Sequence, residues 1–136
     1  MSSITSNASS NSESLRLTAI QHSLCRYPSG TVCWIRDPTN AHADRPAVIL
    51  AHDTHPFGAT DCTIMCIGTS ANKYQNQYTP EVKDTHLKGI SLSKHSYFMP
   101  WALYTIPPGA VRQGKPIGQL TAAGEKEVKK ALISNI

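Results

Sequence analysis

Apolar residues come in short blocks separated by turn-forming residues, and the period changes only near the C-terminus. The first block, Thr31–Ile35, starts just after Pro28-Ser29-Gly30 and reads as a strand. Arg36 to Asp44, with Asp37-Pro38-Thr39-Asn40, reads as a loop. Ala47–Ala51 is apolar without interruption and is expected to be a central strand. A turn-rich loop, Asp53-Thr54-His55-Pro56-Phe57-Gly58, leads to a third strand, Cys62–Ile67, which ends at Gly68-Thr69-Ser70. The stretch from Ala71 to Asp84 is polar, and Ile90-Ser91-Leu92 alternates only weakly. Ser96–Met99 predicts a strand stopped by Pro100, and Trp101–Ile106 a last strand closed by Pro107-Pro108-Gly109.

After Leu120 the pattern turns helical. Thr121 fits an N-cap. Glu125 and Glu127 precede Lys129 and Lys130, the order that the helix dipole favours. Val128, Leu132 and Ile136 give one apolar stripe. Several short strands followed by one amphipathic helix predict a mainly β fold, a small, strongly bent antiparallel sheet or barrel capped by that helix.

Residues 2–14 are almost all Ser, Asn and Thr. They carry too little apolar surface to offset the entropy of ordering, so disorder is expected. The segment lacks the basic start and apolar stretch of a secretory signal. Leu15–Ile20 is open between a helical turn and an extra strand. The division is therefore a polar extension over 1–27 and one folded domain over 28–136. No apolar run reaches the roughly 18 residues of a membrane span, and a soluble protein is expected. A net charge of +4 and a pI near 9.0 permit a polyanionic partner without requiring one. Cys25, Cys33, Cys62 and Cys66 form no C-x-x-C pair. Buried thiols in a reducing cytoplasm are the plain reading.

The candidate chemistry centres on Arg45. A guanidinium at the root of a buried strand is held by rigid backbone and offers a planar fork of donors suited to phosphate. A structural pair with Asp44 or Asp37 uses the same residue equally well. Thr69 offers a hydroxyl to a phosphate oxygen, or serves ordinary strand-end turn chemistry. His52, His55, Cys62 and Cys66 invite a zinc reading. On a strand, Cys62 and Cys66 share a face but stand about 13 Å apart, too far for one ion. No metal or other cofactor is expected.

Four pieces in order resemble the MazF/PemK (Kid) toxin family: Gly30-x-Val32-x-Trp34, Arg45–Leu50, the strand ending Gly68-Thr69-Ser70, and Ile117–Thr121. The resemblance covers about residues 30–136. The segment Ser96-Tyr97-x-x-Pro100-Trp101 is most similar to a PemK-like branch described in archaea. The resemblance implies an SH3-like barrel, usually homodimeric. It also implies a cytoplasmic, metal-independent endoribonuclease that cuts single-stranded RNA at short sequences. A cognate antitoxin would cover its RNA groove. Carried over, the active centre is Arg45 and Thr69. Some members place an acidic residue where this chain has His95, preceded by Lys94; a histidine is a competent acid or base, so His95 is a candidate for proton transfer and Lys94 for holding phosphate, with two solvated loop residues as the equal alternative. Expected RNA contacts are Ser70, Lys73, Tyr74, Lys94, His52 and His55, since basic and aromatic side chains together neutralise and stack single strands. The competing readings are a barrel of the same fold that binds RNA without cutting it, or one that poisons a protein such as a topoisomerase.

Overall fold

Period-two alternation builds this molecule around one sheet with a core on each face. The computed structural model describes residues 27–41, 43–51, 61–70 and 78–135. The expected disorder of 2–14, the open segment Leu15–Ile20 and the loop Asp53–Gly58 fall outside them. Among the described residues there are six strands: β1 (Thr31–Arg36), β2 (Asp44–Ala51), β3 (Cys62–Gly68), β4 (Leu87–Lys88), β5 (Tyr97–Ile106) and β6 (Gly118–Leu120). They form an antiparallel sheet in the order β4-β6-β1-β2-β3-β5. Helix α1 (Ala122–Ser134) follows. The sheet is open, with β4 and β5 as its edges, and is consistent with a small barrel-like fold.

Successive side chains of the inner strands go to opposite faces. Cys33, Ile35, Ala47, Ile49, Cys62, Ile64 and Cys66 form one buried cluster. Val32, Val48, Met65 and Ile67 join a second, with Val128 of α1. Burial on both faces explains why β2 and β3 read as continuous apolar runs.

Two expectations need correction. Pro100 does not stop a strand: Tyr97 to Ile106 is one strand, β5, running through it. The reason is position. β5 is an edge strand, and its register against β3 shifts between Met65 and Ile67, which pair with Leu103 and Phe98. Pro100 sits in that irregular stretch, where a missing N–H costs no regular ladder bond. The second correction concerns the cysteines. Cys33 and Cys66 are free and buried, but Cys62 is disulfide-bonded.

Helix α1 starts as its sequence implies. The Thr121 hydroxyl accepts from the Gly124 N–H at 3.1 Å and donates to the Thr85 carbonyl at 2.6 Å. Its buried face is Gly124, Val128 and Ala131. Among the described residues no helix is long and apolar enough to cross a membrane.

Candidate active site

Hairpin register brings the site together. Ile35 of β1 pairs with Arg45 of β2, so Asp37, just past the end of β1, lies beside the arginine. Ala47 pairs with Cys66 across β2 and β3, which extrapolates to Arg45 opposite Gly68. Arg45 is thus placed by both of its neighbouring strands. Its Nε stands 3.6 Å from Oδ1 of Asp37. The Asp37 side chain is 1% exposed and that of Arg45 17%. Asp37 also accepts from the Thr39 N–H at 3.2 Å and the Thr39 hydroxyl at 3.0 Å.

Of the two structural partners that the sequence left open for Arg45, Asp37 is the one that meets it. Asp44 is engaged elsewhere, with Arg112 Nε at 2.9 Å and Lys115 Nζ at 3.9 Å. Lys115 in turn lies 5.3 Å from the centre of the Trp34 ring.

The other edge of the guanidinium faces the end of β3. A Cβ built on Gly68 would fall 2.8 Å from Arg45 Nη1 and 2.8 Å from Met99 Sδ. Only a residue without a side chain leaves that space. Thr69 and Ser70 follow directly and are exposed. All of these border one open cleft of about 630 Å³, whose lining includes Asp37, Arg45, Gly68, Thr69, Ser70 and Lys94. Trp34, Trp101 and Tyr104 line it as well.

The remaining candidates separate. Lys94 borders the cleft, and the Ser96 hydroxyl donates to the Lys94 carbonyl at 2.8 Å. His95 is not among the lining residues. It is 65% exposed, pairs through Nε2 with Oε2 of Glu81, and stacks on Tyr97 with ring centres 5.5 Å apart and planes 5° off parallel. His52, His55, Lys73 and Tyr74 lie outside the described residues. Asp37 and the three aromatic residues are the parts that sequence reasoning did not assign to the site. The signal for Asp37 was available: a residue just past the first strand of a hairpin faces one near the start of the second.

Cys66 also borders the cleft, near Arg45. Burial pushes its thiol from 9.0 up to about 11; the Arg45 charge pulls the other way and the Asp37 carboxylate adds to the rise. At neutral pH it is a protonated wall residue, not a nucleophile. Among the described residues no group of three or more His, Cys, Asp or Glu is placed to share a metal ion. The arrangement offers fixed cationic and hydroxyl donors at a solvent-open cleft, which is chemistry for an anion such as a phosphodiester.

No curated protein matches the chain. The family model for the PemK-like, MazF-like toxin of type II toxin–antitoxin systems matches residues 29–136, which contain the whole described sheet, the cleft and α1. With that span matched, the chain belongs to the PemK-like, MazF-like family of type II toxins.

Proposed function

We propose that this chain is a sequence-specific, metal-independent endoribonuclease that cuts single-stranded RNA through attack of the ribose 2′-hydroxyl. Toxins of the family are generally endoribonucleases and imply an antitoxin partner. The observation that carries the finer reading is the Arg45 guanidinium, anchored by a buried carboxylate and lying over Gly68 beside Thr69 at an open cleft.

The 2′-oxygen bonds to phosphorus as the bond to the 5′-oxygen breaks. One proton leaves the nucleophile and one reaches the leaving oxygen. Negative charge accumulates on the non-bridging oxygens between these events. Arg45 stabilises that charge; it stays protonated throughout, so it acts as a donor and not as a base. The Thr69 hydroxyl donates to a phosphate oxygen and fixes its orientation. Lys94 and Ser70 hold the chain on either side of the scissile phosphate, and His52, His55, Lys73 and Tyr74 extend the RNA contacts. His95 transfers the proton. To reach a substrate in the cleft its imidazole has to leave Glu81, and its chain neighbours Lys94 and Ser96 both border that cleft. The products are a 2′,3′-cyclic phosphate and a 5′-hydroxyl. The protein works as a homodimer in the cytoplasm and is silenced by its antitoxin.

Arg45→Ala and Thr69→Ala test the reading. Both are expected to abolish cutting while RNA remains bound with salt-dependent affinity. Cleavage that survives both would overturn it. A protein that binds RNA and never cuts it, or that needs neither residue for toxicity, would favour the binding or protein-poison readings.

A further inference from the structure

We propose that Asp37 is a positioning residue, which holds Arg45 by its Nε edge so that the Nη edge is presented to the substrate phosphate at the Gly68–Thr69 end of β3. The inference rests on the ribonuclease reading of the cleft. It starts from an oddity of burial. Asp37 is among the most buried charged side chains described, at 1% exposed, although it belongs to a loop. A carboxylate is kept there only when paired and hydrogen-bonded. The ion pair with Arg45 is made at Nε. Oδ1 meets Arg45 at Nε, 3.6 Å away, while Nη1 lies over Gly68.

A guanidinium has five N–H donors in a rigid plane, so fixing one edge fixes the direction of the other. Asp37 is itself immobilised. Thr39 donates to both of its oxygens, and the Asn40 N–H donates to the Asp37 carbonyl at 3.0 Å. The turn after β1 thus aims the arginine. The structural pair and the catalytic donor are two edges of one group. Asp37 touches no reacting atom in this scheme. Its effect passes through the direction of Arg45, where a shift of about 1 Å can cost roughly a hundredfold in rate.

The test compares wild type with Asp37→Asn, which keeps the size and removes the charge, and with Thr39→Val, which loosens Asp37 from the surface. Three quantities are read: the cleavage rate at saturating RNA, the affinity for an uncleavable 2′-deoxy analogue, and the Arg45 Nε–H resonance. The expected result is a fall in kcat of roughly tenfold to a hundredfold for Asp37→Asn, and a smaller fall for Thr39→Val. Affinity for the analogue stays within about threefold, and the Arg45 Nε–H signal shifts in both variants as the Asp37 charge is removed or displaced. A merely structural role would lower thermal stability and leave kcat of the folded fraction and the resonance unchanged; that result would overturn the inference while leaving the ribonuclease reading intact. RNA left uncut by folded wild type would overturn the ribonuclease reading instead. The resonance still decides the pairing then: an Nε–H signal identical in wild type and Thr39→Val counts against it.

Discussion

Arg45 is useful because it is neither free nor buried away. Asp37 occupies one edge, Gly68 makes room for the other, and the side chain keeps 17% of its surface. This predicts a specific failure. In Gly68→Ala the new methyl meets Arg45 Nη1 and Met99 Sδ, both at 2.8 Å. Both contacts are ends of side chains, so the backbone can stay in place while the guanidinium moves. Cleavage should fall at least tenfold, as a displacement of this size implies, with the fold retained by circular dichroism. Full activity in a folded Gly68→Ala variant would show that the direction of Arg45 does not matter. Two thiols give a second prediction at this scale. Burial raises Cys33 and Cys66 from 9.0 to about 11. Between those values the unfolded chain has released protons that the folded chain still holds, so stability falls as pH rises. The slope is about 1.4 kcal/mol per pH unit for each thiol. It vanishes well below pH 9 and levels off above 11. Urea titrations from pH 8 to 10.5 would show it, and Cys66→Ala should make the alkaline slope shallower.

At the scale of elements, the strands that frame the site were the most legible. β1, β2 and β3 announce themselves because both faces are buried, so every position is apolar or nearly so. Their ends were less legible, since Asp44 and Arg45 are polar and join β2 through hydrogen-bond register with β1. Pro100 misled for a physical reason: a proline excludes a regular paired position but not an irregular one at an edge. The strands Leu87–Lys88 and Gly118–Leu120 are two and three residues long, too short to show a period. Helix α1 was readable from its cap, and the cap is testable. Thr121→Ala should cost about 1 kcal/mol, because it removes the acceptor of the Gly124 N–H. Gly124→Ala is the sharper case. Alanine is the better helix former by about 1 kcal/mol, yet its Cβ would fall 2.3 Å from the His86 carbonyl oxygen. Overpacking of this kind costs about 1–3 kcal/mol. A lower melting temperature is therefore predicted, and a rise would mean that the helix can slide off the Asp84–His86 turn.

For the whole molecule, the sheet works as a device for converging residues distant in the chain. Asp37, Arg45, Thr69 and Lys94 come from four separate segments and meet at one cleft because β1, β2, β3 and β5 follow one another in the sheet. The order of motifs along the chain pointed to the family, and Arg45, Thr69, Ser70 and Lys94, singled out from the sequence, all border the cleft. What sequence could not give was direction. The likeness of His95 to a proton donor is chemical; its ring in this structure is occupied by Glu81 and Tyr97 outside the cleft lining. The aromatic residues Trp34, Trp101 and Tyr104 join the cleft wall through the strand pairing, and nothing in their spacing said so. The charge of +4 adds a consequence for the molecule as a whole. Cleavage at subsaturating RNA should weaken as salt is raised, while the rate at saturation changes little, because counterion release acts on binding. The measurement that bears most directly on the central claim is end mapping. Purified protein and Arg45→Ala are each incubated with a long single-stranded RNA in EDTA, and every new terminus is sequenced and its chemistry determined. Discrete cuts bearing 2′,3′-cyclic phosphate and 5′-hydroxyl ends, absent with Arg45→Ala, are the predicted result. Intact RNA, 5′-phosphate ends, or the same cuts from the variant would contradict the account.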